Sequence, residues 1–164
     1  MNIATRYCIE IATPLGKLFA TAHGDAITGV YFDGQKYFPS DLLPSNDINA
    51  VLMQLRTEID EYFSGARRTF SAKLLPRGTT FQQQVWKQLE KIPSGKTLTY
   101  AEVAGLLGKP TATRAVASAI GRNPISVVIP CHRVIGSNGS LTGYAGGIER
   151  KAALLQLERG LQFN

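Results

Sequence analysis

Cysteine is scarce in this chain: Cys8 and Cys131 are the whole supply among 164 residues. Two thiols cannot form a disulfide framework, so a secreted, disulfide-stapled scaffold is excluded. Histidine is equally short, with His23 and His132 alone. Cys131-His132 has no ligand-type spacing to Cys8 or His23, and a zinc site would need a carboxylate or a second chain. No metal and no cofactor are expected. No apolar run is long enough to span a bilayer, and Met1 to Arg6 carries no hydrophobic signal segment. The expectation is a cytoplasmic protein with reduced thiols and no membrane contact. Internal repeats, low-complexity tracts and a dimerisation segment are also missing, and a monomer is expected.

Acidic residues are scarce in one half only. Residues 76–164 hold 4 Asp+Glu against 11 Lys+Arg, a balance of +7, whereas residues 1–75 hold 8 against 7, a balance of −1. The net charge of +6 therefore belongs to the second half, which should meet any polyanion. Charge alone does not separate a nucleic-acid surface from an ordinary cationic one. An apolar fraction of 44 % is ordinary for a globular chain, and the length allows one domain or two small ones.

The first third reads as an antiparallel meander. Tyr7 to Ala12, Lys17 to Ala22 and Ile27 to Phe32 are short apolar runs, punctuated by Pro14-Leu15-Gly16 and His23-Gly24-Asp25. Ile48, Val51, Leu52, Leu55, Ile59, Tyr62 and Phe63 then recur at helical spacing, with Gly65 as a cap. Pro76 and Gly78 close a linker where the charge balance shifts, which places a domain boundary between 1–76 and 77–164. A capping box, Thr80-x-x-Gln83, opens a helix through Val85, Trp86 and Leu89 that stops at Pro93. Two short helices, about 101–107 and 112–120, flank Gly108-Lys109-Pro110 and fit a helix-turn-helix. Ser126 to Ile129 is β-branched and expected to be extended. A Gly-rich loop leads to a last helix, about 148–159, capped by Gly160.

In the second helix of the pair, Ala112, Ala115, Val116, Ala119 and Ile120 form the expected buried face. The other face holds Arg114, Ala117, Ser118 and Gly121, with one long cation. Base-edge reading in the major groove needs several long polar side chains. A smooth face with a single arginine suits a sequence-tolerant, minor-groove mode. It equally suits packing against another helix.

The strongest local feature is Val127-Val128-Ile129-Pro130-Cys131-His132-Arg133-Val134. Pro130 suits the first position of a helical turn, which would put Cys131 at a helix N-terminus where a thiolate is favoured, with Arg133 adding to this. A thiolate attacks soft carbon electrophiles. His132 is the obvious base, but neighbours in a helix do not face each other, which makes a water bridge the better route. Most free cysteines are buried small hydrophobes, and that reading stays open for Cys131, as a core histidine does for His132. Glu158 lies in a last helical turn, where a carboxylate opposes the dipole, and on the apolar side after Leu154 and Leu155. It needs a partner, for which His132 is a candidate, unless it is solvated.

Ile129-Pro130-Cys131-His132-Arg133-Val134 resembles the signature of the O6-alkylguanine-DNA alkyltransferases. Thr80-Phe81-Gln82, Val85-Trp86, Ile92-Pro93-x-Gly95-x-Thr97-x-x-Tyr100, Arg114-Ala115-Val116, Asn123-Pro124 and Gly143-Tyr144-x-Gly146-Gly147 continue the likeness through the Lys151 to Gly160 helix. The first 75 residues match more weakly, chiefly through Thr13-Pro14-Leu15-Gly16. The resemblance implies an α+β chain: an N-terminal ribonuclease H-like antiparallel sheet with a helix, then a mostly helical, winged helix-like domain with a helix-turn-helix. The implied function is direct-reversal repair of double-stranded DNA. An alkyl group passes irreversibly from O6-alkylguanine, with O4-alkylthymine as a second candidate, to Cys131 after the nucleotide is flipped out. His132 would take the thiol proton through a water, Glu158 would orient His132, and Asn123 would brace the Cys turn. Tyr144 would donate to the guanine and supply the leaving-group proton. Tyr100 would crowd the phosphate and Arg114 would fill the vacated stack. Ala115, Ser118 and Arg122 complete the implied DNA contact. The Ala145 N–H would bind O6, and the carbonyls of Cys131 and Val134 would accept from the exocyclic amine. Two departures stand out: Ala145 replaces a serine of some relatives, and Ala117-Ser118 replaces a common glycine pair.

Three other readings compete. A lesion-binding module without transfer is opposed by Cys131. A helix-turn-helix regulator is opposed by the bare face of the 112–121 helix. A cysteine hydrolase built on Cys131, His132 and Glu158 would turn over repeatedly and would not need the basic half.

Overall fold

The computed structural model describes residues 6–160. Residues 1–5, part of the segment read for a signal, lie outside them. Three strands come first: β1 Arg6–Thr13, β2 Gly16–His23 and β3 Ala26–Phe32. They form an antiparallel sheet in that order. The β1–β2 turn works because Gly16 sits at φ 111°, where a Cβ would be strained. Ile9 pairs with Ala20 and Ile11 with Leu18, and β3 sets Val30 and Phe32 against the same two β2 residues, which gives the sheet one apolar face.

Helix α1, Ala50–Phe63, covers that face with Val51, Leu52, Leu55, Ile59 and Tyr62. Asn49 caps it, its side chain accepting from the Leu52 N–H at 3.1 Å. The helix therefore starts after Ile48, which is 86 % exposed and no part of the core. The edge of β3 is not left open. Ile27 bridges to Leu74 at one end, and Val30 bridges to Ile125 further along the strand. The Val30 N–H donates to the Pro124 carbonyl at 2.9 Å, and the Ser126 N–H donates to the Val30 carbonyl at 2.9 Å. The segment that leads to Cys131 is thus hung on the N-terminal sheet.

Helix α2, Thr80–Glu90, opens with a capping box one residue earlier than expected, Thr79 with Gln82. Gly78 lies so close to the Trp86 indole that a Cβ there would meet it at 2.4 Å. The buried Trp86 Nε1–H donates to the Ala119 carbonyl at 2.8 Å and ties α2 to the next layer. Helix α3, Tyr100–Leu106, starts with a second capping box, Thr99 and Glu102, and α4 spans Thr113–Gly121. The two pack on each other across Gly108, at φ 71°. Leu98–Thr99 (β4) pairs in parallel with Val134–Ile135 (β5). Helix α5, Ile148–Glu158, closes the described chain, with Gly160 at φ 83°. The fold is α+β, with the sheet N-terminal and the helices mostly C-terminal. No helix among the described residues is long and apolar enough to cross a membrane.

Two expectations fail here. The buried face of α4 is narrower than its pattern suggests: Val116, Ala119 and Ile120 are buried, but Ala112 is half-buried and Ala115 is exposed. Alanine is a weak indicator of a core, because it gains little from burial. Ser126 to Ile129 is not extended but tightly turned, with Val127 at φ 71°. The cause lies in the site itself.

Candidate active site

Asn123 organises the turn that carries the cysteine. Its Nδ2 donates to the Ile129 carbonyl at 2.8 Å and its Oδ1 accepts from the Ile125 N–H at 2.9 Å. The Ile129 N–H returns to the Ile125 carbonyl at 3.0 Å. These bonds bend the chain and hold Val127, a fully buried β-branched residue, in left-handed backbone. Such a residue costs about 1–3 kcal/mol and persists only where its surroundings over-determine it.

Cys131–Arg133 is a single 3₁₀ turn, preceded by Pro130 rather than opened by it. One short turn has little dipole to offer. Cys131 is 5 % exposed, and burial pushes its thiol up. A hydrogen bond from the Asn123 side chain, the Lys151 charge and the backbone N–H groups of Cys131 and His132 pull it down without overcoming burial. The expected standing thiolate is therefore corrected: at rest the sulfur keeps its proton. It lies close enough to Tyr100, Tyr144 and Lys151 to bear on their ionisation. The groove of about 530 Å³ nearby runs along Val128, Pro130 and Arg133 but does not take in Cys131.

His132 and Glu158 meet, although 26 residues separate them in the chain. His132 Nε2 lies 2.5 Å from Glu158 Oε1, and both side chains are buried. Arg133 Nε donates to both Glu158 oxygens, at 2.8 and 3.0 Å, and its Nη1 donates to the Ile92 carbonyl at 2.6 Å. Burial lowers the pKa of His132 against the pull of Glu158, which leaves a neutral ring. Burial also raises the Glu158 carboxyl, but the bonds and charges of His132 and Arg133 bring it to about 2. With a neutral ring, Arg133 is the partner that supplies charge. A carboxylate at Nε2 requires the proton there, and the lone pair is then on Nδ1. Nδ1 is buried and has no partner among the described residues. That lone pair is free to accept a proton.

Lys151, from α5, is 1 % exposed. Its ammonium donates to the Val134 carbonyl at 2.6 Å and the Thr142 carbonyl at 2.8 Å, and lies 5.8 Å from the Tyr100 ring centroid. Burial pulls its pKa down to about 8, against the Cys131 sulfur. The Tyr100 hydroxyl donates to the same Thr142 carbonyl at 2.9 Å. Lys151 thus pins the Gly-rich loop to the Cys131 turn. Tyr144 sits on that loop with its ring edge-on to His132, at 6.5 Å between centroids. Burial raises its phenol well above the usual range, and its buried hydroxyl has no partner among the described residues. Half-buried Ala145 anchors the loop, its carbonyl accepting from the Lys36 N–H at 3.0 Å.

The sequence matches "6-O-methylguanine DNA methyltransferase, ribonuclease-like domain" over residues 7–76 and "6-O-methylguanine DNA methyltransferase, DNA binding domain" over residues 80–160. The chain belongs to this methyltransferase family. It is 46 % identical over 149 residues to the methylated-DNA–protein-cysteine methyltransferase of Mycobacterium tuberculosis, covering 91 % of this chain and 90 % of that one. It is 41 % identical over 157 residues to the constitutive enzyme of that name from Bacillus subtilis, covering 93 % and 95 %. The crystal structure of the M. tuberculosis O6-methylguanine methyltransferase superposes with a TM-score of 0.87 at 44 % identity, over 95 % of this chain and 94 % of that one. M. tuberculosis OGT in complex with DNA superposes at 0.84 and 41 % identity, over 94 % and 92 %.

Within this family member, Cys131, His132, Glu158, Asn123, Tyr100, Tyr144 and Val134 gather around one buried centre. Arg114, Ala115 and Ser118 are not part of it: they lie exposed on α4. Arg122 follows α4 and stacks on the Tyr37 ring at 3.9 Å. Among the described residues, no group of three or more His, Cys, Asp or Glu could hold a metal ion. Sequence reasoning missed Lys151 and the use of Arg133 against Glu158. A Lys at the third or fourth place of an amphipathic helix reads as surface, and only its spacing from Leu154 and Leu155 placed it inward.

Proposed function

We propose that this protein repairs alkylated DNA by direct reversal, moving a methyl or other alkyl group from the O6 of guanine to the Cys131 sulfur, once per molecule. The observation that carries the reading is the buried His132–Glu158 pair on the turn that carries Cys131, with His132 Nδ1 unpartnered among the described residues and the Cys131 thiol buried. As the sulfur attacks the alkyl carbon, its proton passes to Nδ1 by way of a water, and the imidazolium that forms is balanced by Glu158. The S–C bond forms as the C–O6 bond breaks. Guanine leaves as an anion unless it is protonated, and the Tyr144 hydroxyl, buried and without a partner among the described residues, supplies that proton. The Ala145 N–H receives O6. The carbonyls of Cys131 and Val134 already accept from the Val134 N–H and from Lys151, and each offers its second lone pair to the exocyclic amine.

The thioether is stable, and no residue beside it is poised to hydrolyse it. With Cys131 5 % exposed, the base enters a tight site, which suits a nucleotide flipped out of the stack rather than a duplex. In this reading the exposed, small-residue face of α4 enters the minor groove, with Arg114 in the emptied stack and Ala115, Ser118 and Arg122 along the backbone. Tyr100 rotates the phosphate outward. The protein acts as a monomer built of two domains that divide at residue 76, and needs neither metal nor cofactor. The test is stoichiometry. With duplex containing O6-methylguanine in excess, repair should stop at one lesion per protein and stay at zero for Cys131→Ser. Continued turnover would favour a hydrolase, and tight lesion binding without repair would favour a recognition module.

A further inference from the structure

A second concave site, which does not include Cys131, lies where the N-terminal sheet meets Arg77 and Pro124. It encloses about 330 Å³. Arg6, Arg77, His23, Thr21, Thr28 and Tyr31 line it, together with Pro124. No carboxylate lines it. Thr21 and Thr28 hydrogen-bond each other at 2.9 Å, and Thr21 is 2 % exposed, so the floor is fixed. Gly29 lets the Tyr31 hydroxyl and the Thr21 hydroxyl crowd together, since a Cβ there would meet each at 2.8 Å. Arg77 has no hydrogen bond or ion pair among the described residues. Among the described residues Arg6 pairs only with Asp41, at 3.2 Å in solvent, a carboxylate that also bears on Tyr31 and that a stronger anion displaces at little cost. Guanidiniums with convergent hydroxyls are the chemistry of a phosphate oxygen cluster.

The pocket is continuous with the end of α4. Tyr31 and Pro124 line it and also line the next hollow, which holds Lys36, Tyr37 and Arg122. Arg122 follows Arg114 by eight residues, about 12 Å along a helix axis and roughly three to four base-pair rises. A basic track therefore leads from α4 onto a domain whose overall charge balance is slightly negative.

We propose that this pocket seats a backbone phosphate of the DNA strand that runs on past the C-terminal end of α4. The inference rests on the reading above, in which α4 lies against DNA. The N-terminal sheet then serves as a second, sequence-independent foothold that fixes how the duplex is oriented across the site.

The test uses the full chain with Arg77→Glu, a substitution at an exposed residue, beside Arg114→Ala. Affinity for a lesion-bearing duplex is measured across salt concentrations, and alkyl transfer from the free alkylated base serves as a control that involves no phosphate. Arg77→Glu should weaken duplex binding about 5–30-fold and flatten the salt slope by about one contact. Transfer from the free base should stay at the wild-type rate. Shortening the duplex on the α4 C-terminal side should abolish the difference between the two proteins. Wild-type affinity and slope for Arg77→Glu on long duplex, with Arg114→Ala weakened, would overturn the pocket alone. Wild-type binding by both variants would overturn the α4 reading with it. Inorganic phosphate that shifts the His23 resonances while Arg77→Glu keeps full DNA affinity would mark an anion site unrelated to DNA, and would also overturn the proposal.

Discussion

Replacing Glu158 by glutamine keeps its shape and removes its charge. In the native protein both Glu158 oxygens accept from Arg133 Nε, and Oε1 accepts from His132. The variant leaves the Arg133 guanidinium, 6 % exposed, without a counter-charge. Breaking one side of a buried pair costs about 3–5 kcal/mol, which is a large share of a small domain's stability. A separate effect falls on the chemistry. A glutamine amide can donate to His132 Nε2, which moves the ring proton to Nδ1 and closes the position that must receive the thiol proton. Loss of general-base help should slow transfer about 10²–10⁴-fold. The two effects separate in the double variant Arg133→Met/Glu158→Gln, because an apolar neighbour removes the stranded charge. That variant should recover much of the lost stability in urea and none of the lost rate. The rate is read as single-turnover transfer with protein in excess, at a temperature where all three proteins are folded. A Glu158→Gln rate within a factor of three of wild type would refute the assigned role of Nδ1.

Asn123→Ala should cost about 2–4 kcal/mol in denaturant, because it strands buried backbone groups and frees the strained Val127 turn; a cost under 0.5 kcal/mol would contradict this. Stability should fall in acid through Glu158: the contribution of its depressed carboxyl is whole above the ordinary carboxylate range and drains away as pH falls toward about 2, on the order of 3 kcal/mol in all, and Glu158→Gln should lack that limb of the urea-midpoint profile. The transfer rate should be flat near neutrality and fall only below the ordinary histidine range, since burial keeps His132 neutral; a fall beginning above pH 7 would argue against it. Arg114→Ala should weaken repair in duplex far more than reaction with free alkylated base, and equal losses on both would remove its role in the stack.

The β-strands were legible because turn residues punctuate them, and α1 and α2 because their apolar period is strong. Their starts were not. Thr79 and Thr80 are each followed three residues later by a glutamine, so the local pattern does not choose between them, and the fold uses Thr79. The Ser126 to Ile129 run looks extended because its β-branched residues favour strands, but the local bonds of the Asn123 side chain to Ile125 and Ile129 override that propensity. The Cys131 hexapeptide was visible at once, whereas the state of its sulfur was not. Ionisation depends on how deeply the turn is buried and on Lys151 arriving from α5, neither of which is written in the local sequence. Glu158 stood out as a misplaced carboxylate, but its tie to Arg133 as well as His132 emerged only from the fold.

Where the alkyl group ends up decides whether Cys131 is the acceptor. Mass analysis of the peptide containing Cys131, after incubation with duplex bearing O6-methylguanine, reads this directly. The peptide should gain one methylene unit on sulfur, in step with the appearance of unmodified guanine in the DNA. Repaired guanine with an unmodified Cys131 peptide, or methyl found on any other residue, would contradict it.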